Sequence, residues 1–114
     1  MISRDTAEHY TWGDGCDGWH LVRMPQLSVI HERMPPGASE ARHLHQRARQ
    51  FFFALVGAAT LEIAGQRHTL APHTGAEVPP GVPHQLLNLS AEPIEFLVIS
   101  QPPTSGDRIP APPE

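Results

Sequence analysis

The sequence predicts an all-β fold in which short strands form a sandwich or barrel. Its 114 residues include 13 prolines and 9 glycines, which interrupt helices and favour turns. Between Trp19 and Ser100, strand-like segments follow one another, and turn signals such as Pro35-Pro36-Gly37 and Pro79-Pro80-Gly81 separate them. No segment has the length and apolar period of a long helix, so strands and turns make up the predicted domain.

Three parts follow along the chain. Residues 1–18 are polar and turn-rich, which predicts an irregular N-terminal arm with at most one helical turn near Asp5. Residues 19–100 carry the predicted barrel, including a hairpin in which Ala64-Gly65-Gln66 connects strands at 60–63 and 67–70. Residues 101–114 are rich in proline, which predicts an extended or disordered tail that does not pair centrally in a sheet.

Charge and composition exclude several classes of function. The formal net charge is −4, and the sequence has no lysine and no run of basic residues. A lysine Schiff base is therefore excluded, and a nucleic-acid partner is not expected. Cys16 is the only cysteine, and no apolar run is long enough to cross a bilayer or resembles a signal peptide. These features predict a protein of the reducing cytoplasm that binds no membrane.

Histidines at two separated places predict a metal site. His43 and His45 are alternate residues of one predicted strand, so both rings point to the same face about 6.6 Å apart. Two such rings can converge on one ion, and a closed barrel can bring His84 from a distant strand beside them. In a chain with eight histidines the pair alone is a weak signal, and two hydrogen-bonded surface histidines are the simpler interpretation.

The surroundings of these histidines resemble two motifs of the cupin superfamily. The first motif, GxxxxxHxHxxxxExxxxxxG, is matched by Gly37, His43, His45, Gln50 and Gly57. The second motif ends in PxGxxHxxxN and is matched by Pro79, Gly81, His84 and Asn88. This resemblance covers residues 26–100 and implies a double-stranded β-helix, the jelly-roll barrel of cupins.

The resemblance also implies the cofactor. His43, His45 and His84 are expected to bind one divalent transition metal: Zn, Fe, Ni, Co, Cu or Mn. The sequence departs from the motif at Gln50, which replaces a glutamate ligand, and at His73, which replaces a glycine. The Gln50 amide can bind the metal or can bind a ligand or water instead. Either way the site loses a negative charge, which favours an anionic ligand.

Further residues are candidates for the pocket, some of them from strand alternation. Gln50 and Phe52 should line the ligand pocket, with Trp19 at its mouth, although a tryptophan more often simply packs. Candidate acid–base groups are Glu32, Glu40, His31 and Tyr10, and the strand register allows either Glu32 or His31 to point inward, but not both. The outward-facing Phe51, Phe53 and Leu55 should be covered by the arm or by a second subunit, and a homodimer is favoured because small cupins commonly pair.

Two functions of different class follow. The first is a metal-dependent enzyme of the dioxygenase, isomerase or lyase type that acts on a small anionic molecule. The second is a non-catalytic module that binds a sugar or an organic acid with the metal as an anchor. The binding module predicts a cavity without a placed proton-transfer group. A third hypothesis is a structural dimer in which the metal site is vestigial.

Overall fold

The computed structural model describes residues 1–113, and within them it contains eleven β-strands and no helix, so no helix that could span a membrane. This confirms the all-β prediction. The strands are β1 Glu8–Trp12, β2 Cys16–Arg23, β3 Ser28–Met34, β4 His43–His45, β5 Arg49–Val56, β6 Ala59–Ile63, β7 Gln66–Leu70, β8 Gly75–Val78, β9 His84–Leu87, β10 Ile94–Gln101 and β11 Arg108–Pro110.

The strands form two antiparallel sheets. One has the order β1-β2-β3-β10-β5-β8, and the other has the order β11-β4-β9-β6-β7. The predicted hairpin is present as β6 and β7, in which Ile63 pairs with Gln66 across Ala64 and Gly65. Both turn residues have positive φ, as a two-residue hairpin turn of this type requires.

The core lies between the two sheets and follows from strand alternation. On β10, every second side chain from Ile94 to Ser100 is buried, while the side chains between them are only partly buried. On β5, Gln50, Phe52 and Ala54 are buried as predicted, whereas Phe51, Phe53 and Leu55 are more exposed. The rings of Phe51 and Phe53 stack on the outer face, and a second subunit covering them stays a prediction.

The N-terminal segment differs from the irregular arm that was expected. Glu8–Trp12 pairs with β2 in a regular register from Glu8↔His20 to Trp12↔Cys16, so this segment belongs to the sheet. Gly13 and Gly15, both at positive φ, turn the chain between the two strands. Composition concealed this strand because most of its side chains are polar. Only the pairing with β2 reveals its inward face.

The proline-rich tail also joins a sheet. Arg108–Pro110 forms the edge strand β11 on β4, a position where proline is tolerated because one side of the strand pairs with nothing. Asp107, just before this strand, is buried and accepts hydrogen bonds from three consecutive backbone N–H groups, those of Gln46, Arg47 and Ala48. Arg108–Pro110 is therefore an exposed, extended edge strand, which agrees with a tail that does not pair centrally, whereas the burial of Asp107 was not anticipated.

Asn88 ties together two turns beside the core, as its place in the second motif suggested. The side chain is fully buried. Its Nδ2 donates to the carbonyl oxygens of Met34 and Glu92, and its Oδ1 accepts from the backbone N–H and hydroxyl of Ser90. This asparagine is therefore structural.

Candidate metal centre and its cavity

Three histidines meet between the sheets. His43 on β4 pairs directly with His84 on β9, and His45 lies two residues further along the same face of β4. All three side chains are at most 5% exposed, and one ring nitrogen from each lies within 4.8 Å of the others. The predicted convergence of the three imidazoles is therefore present.

Backbone carbonyls determine which nitrogen of two rings faces the common point. His43 Nδ1 donates to the carbonyl of Ala41 at 2.7 Å, and His84 Nδ1 donates to the carbonyl of Val82 at 3.0 Å. Because Nδ1 carries the proton, Nε2 keeps a lone pair that is available to a metal ion. Such bonds to the outer nitrogen are typical of histidines that bind metals.

The three rings are held neutral, which is the form that binds a metal. Burial lowers the pKa of His43 and of His45 to about 4, and burial also lowers the pKa of His84. In addition, His45 Nδ1 is buried and has no hydrogen-bond partner among the described residues. A buried, unpartnered nitrogen costs free energy that a bound ligand or water would recover.

Gln50 lies where a fourth donor would stand. Its Oε1 is 3.0 Å from His84 Nε2, and its Nε2 donates to Ser100 Oγ at 3.1 Å. Because His84 gives its proton to Val82, two lone pairs face each other across this 3.0 Å contact. A cation between them would remove the repulsion. Three imidazole nitrogens and a nearby amide oxygen fit a divalent transition metal, and direct ligation by Gln50 stays a prediction.

The metal centre opens into a cavity of about 470 Å³. His43, His45, Gln50 and Phe52 line its inner part. Gln50 and Phe52 thus line a cavity, and their contact with a ligand stays a prediction. Other residues that line the cavity come from several strands and loops: Tyr10, Trp12, Glu32, Glu40 and Arg108.

Glu32 is the acid–base candidate that points into the cavity. Burial raises its pKa from 4.5 to about 8, and the charge of Glu40 adds to the effect. Tyr10 donates its hydroxyl proton to Glu32 Oε2 at 3.1 Å, which opposes the rise in the carboxyl pKa. Burial, followed by the negative charge of Glu32, raises the pKa of Tyr10 itself. Glu32 therefore titrates close to neutral pH, where a general acid or base is most effective.

Glycine at position 18 makes room for the Tyr10–Glu32 contact, because it has no side chain. Tyr10, Gly18 and Glu32 lie in one row across β1, β2 and β3. A Cβ atom on Gly18 would lie 2.2 Å from Tyr10 Cζ, which is a severe overlap. Glycine at position 18 thus allows the tyrosine ring to cross β2 and reach the carboxyl group.

Glu40 is the second carboxyl group of the cavity. Its Oε1 accepts the backbone N–H of Leu86 at 2.9 Å. Burial raises the pKa of Glu40 to about 7, although this hydrogen bond and the charge of Arg108 oppose the rise. Glu40 is therefore held in one place with a pKa near neutrality.

Trp19 and His31 do not line the cavity, which corrects both expectations. They form the neighbouring row, in which His9, Trp19 and His31 point to the other face of the sheet. His31 Nε2 bonds with Glu95 Oε1 at 2.8 Å, and the guanidinium of Arg4 lies 4.5 Å from the Trp19 ring centre. The strand register therefore selects Glu32 and excludes His31, as the alternation rule required for one of the two.

The comparisons with known proteins agree with this architecture. The family model described as "Cupin domain" matches residues 30–100, which is more than half of the chain. The chain belongs to the cupin family. An uncharacterised protein of Methanocaldococcus jannaschii is 24% identical to it over 88 residues, which span 77% of this chain and 70% of the relative.

Solved cupins share its double-stranded β-helix. A sugar phosphate isomerase from Silicibacter pomeroyi is 26% identical, with a TM-score of 0.79, over 90% of this chain and 76% of its own. The polyketide cyclase RemF from Streptomyces resistomycificus has a TM-score of 0.86 over 100% of this chain and 86% of its own. At 14% identity, this second likeness concerns the fold alone.

This cupin differs from the family motif in the charge of its donor set. The three histidines are neutral and Gln50 replaces a carboxylate, so a bound divalent ion would keep its full positive charge. Glu32 and Glu40, the acidic groups that line the cavity, have raised pKa values and are largely or partly protonated at neutral pH. The expectation that the site takes a negatively charged ligand stays a prediction.

Arg108 adds a cation to this site. Sequence reasoning missed it, because residues 101–114 read as a tail. It lines the cavity from β11, where it pairs with His45. No feature of the sequence around Arg108 predicts that pairing.

Replacing His45 by alanine should abolish tight metal binding while the barrel stays folded. Loss of one of three imidazoles should weaken binding by more than the roughly 10- to 100-fold that loss of an outer-sphere partner costs. Titration of metal-free protein with Co²⁺ or Zn²⁺ measures this change. His68→Ala, on an exposed position of β7, is the matched control and should bind as the wild type does. Equal affinity in the two variants would contradict the assignment.

The stability of the metal-free protein should fall as pH rises from about 6.5 to 8. In this pH range Glu32, with a pKa of about 8, keeps a proton in the folded state that it has lost in the unfolded state. A rise in pH therefore lowers the free energy of unfolding. The lowered pKa values of the histidines act only below pH about 6.5. Urea unfolding across this window should show Glu32→Gln removing about 1 kcal/mol of the fall per pH unit. The exposed Glu77→Gln should keep the wild-type slope. Equal slopes in all three proteins would refute the raised pKa of Glu32.

Proposed function

We propose that this cupin is a metal-dependent enzyme of the isomerase or lyase type, which removes a proton from a small anionic molecule and then either returns it to another atom of that molecule or lets a leaving group depart. The observation that supports this is that one cavity is lined both by two of the three clustered histidines, His43 and His45, and by the Glu32–Tyr10 pair. A module that only binds and anchors a sugar or organic acid needs no such placed proton-transfer group. Dioxygenase chemistry at the same centre would not require it either.

Each group has a definite part in this proposal. A divalent ion on His43, His45 and His84 would polarise a carbonyl oxygen of the substrate, which makes the hydrogen on the neighbouring carbon more acidic. Glu32, with its pKa near neutrality, takes that proton when its carboxyl group is ionised, and returns it to another atom of the substrate or to the departing group. Tyr10 holds Oε2 of the carboxyl group in place through its hydroxyl donor. Phe52 and Trp12 supply apolar wall that limits access of water.

Relatives support the class of substrate. The similar chain from Silicibacter pomeroyi is a sugar phosphate isomerase at 26% identity. Isomerisation of a sugar phosphate moves a proton next to a carbonyl group, and the molecule is small and anionic. The positive character of the present site favours the same kind of compound. One divalent transition metal is therefore part of the proposal, without a choice of element.

Solvent hydrogen exchange tests the reaction without knowledge of the product. Metal-loaded protein in D₂O, given a panel of aldose and ketose phosphates and short oxo acids, should label at least one compound next to its carbonyl group. Glu32→Gln should slow the labelling by roughly 10²- to 10⁴-fold with metal still bound. Tyr10→Phe should have a smaller effect, because it removes the hydrogen bond that fixes the carboxyl group and leaves the base in place.

Glu77→Gln is the matched control, since Glu77 is exposed and pairs with Arg49 away from the cavity. It should label substrate at the wild-type rate. Wild-type labelling by the Glu32→Gln variant would contradict the assigned role. A compound that binds to the metal-loaded protein but never exchanges would favour the binding module.

A further inference from the structure

We propose that Arg108, on the C-terminal strand, binds the carboxylate or phosphate group of the substrate while the reacting end lies at the three-histidine centre. The inference rests on the proposed function for the identity of the reacting end. It adds the residue that selects the substrate and the chemical group that the residue recognises. Neither follows from the family motifs, because Arg108 lies outside residues 30–100.

Strand pairing aims Arg108 at the metal centre. β11 runs antiparallel to β4 with Arg108 opposite His45, and directly opposed residues of such a pair have their side chains on the same face. Arg108 Nη2 donates to the carbonyl of Ala41 at 3.2 Å, and the same carbonyl accepts the Nδ1 proton of His43. The guanidinium group therefore lies at the edge of the cavity next to two of the three histidines.

The guanidinium group of Arg108 still has donors to give. It forms no ion pair with any of residues 1–113, and its single hydrogen bond there uses one of five N–H donors. By contrast, Arg42 already donates to both carboxylate oxygens of Glu62. A guanidinium group with unused N–H donors can donate two parallel hydrogen bonds to the oxygens of a carboxylate or a phosphate.

The segment that carries Arg108 is fixed in advance. Asp107 is buried and holds the loop that follows His45 through three backbone N–H groups. The same loop thus connects the metal-binding strand to the arginine that faces it. Because the segment is already held in place without a ligand, binding would cost little conformational entropy.

The other charged groups of the cavity do not neutralise Arg108. The positive charge of Arg108 lowers the pKa of Glu40, but the Glu40 carboxyl group accepts its hydrogen bond from the backbone N–H of Leu86 and not from Arg108. Glu32 accepts the hydroxyl of Tyr10. At about pH 6, both carboxyl groups are mostly protonated, since burial raises the pKa of Glu40 to about 7 and that of Glu32 to about 8. An external anion then meets a cation with no internal competitor.

Anion titration of the full chain tests the proposal with and without metal. Chelator-treated ¹⁵N-labelled protein at about pH 6 is titrated with inorganic phosphate and, separately, with acetate, while the arginine Nε–Hε signals are followed by NMR. The Arg108 signal should move to saturation with at least one probe. Arg108→Gln should weaken binding of that probe roughly 10- to 100-fold, and Arg108→Lys, which keeps the charge but loses the fork, should weaken it less.

Arg49→Gln is the matched control, because Arg49 is exposed and pairs with Glu77 on the outer face. It should bind both probes as the wild type does. Saturation by phosphate alone identifies a phosphate substrate, and saturation by acetate alone identifies a carboxylate. Unchanged affinity in Arg108→Gln, or no saturable shift with either probe, would overturn the proposal.

The two proposals can fail separately. The chelated protein contains no metal, so its anion affinity does not depend on catalysis at the three histidines. Normal hydrogen exchange together with unchanged anion binding in Arg108→Gln would remove Arg108 and leave the enzyme. Specific anion binding by a protein that takes up no metal would remove the enzyme and leave the anion site.

Discussion

The arrangement depends on one interaction, the pairing of His43 with His84 across β4 and β9. It places two imidazoles side by side in the core, and the strand period adds His45 to the same face. Burial makes their charged forms unfavourable, and carbonyl acceptors on Ala41 and Val82 decide which nitrogens face inward. A polar cluster in such a position is costly unless something binds it. The structure is thus organised around a point that attracts a cation.

The two ends of the chain add chemistry to a barrel that by itself offers the histidines, Gln50 and the carboxyl groups of Glu32 and Glu40. The N-terminal strand β1 brings Tyr10 to Glu32, and Gly18 leaves the space that the ring needs. The C-terminal strand β11 brings Arg108 to the same cavity. The barrel therefore carries the histidines and the acid–base group, while strands at the ends of the chain supply the hydroxyl that positions this group and the cation Arg108.

The sequence predicted features that follow from side-chain alternation along a strand. It missed features that depend on pairing between residues distant in the chain. Alternation on β5 correctly assigned Gln50 and Phe52 inward, and the histidine spacing correctly predicted the cluster. Register left Glu32 and His31 as alternatives, because a shift of one residue exchanges the two faces. Trp19, expected at the cavity mouth, lies instead in the row of His9 and His31 on the other face of the sheet. The roles of Asp107 and Arg108 had no local signal, since their partners lie about 60 residues earlier in the chain.

X-ray absorption of protein loaded with one equivalent of Co²⁺ or Zn²⁺ tests the central claim most directly, because it reports the atoms around the ion. The account predicts three imidazole nitrogens at about 2.0–2.1 Å, with any further ligands being oxygen. A spectrum with one imidazole or none would contradict it, since the three buried rings would then not share a metal ion.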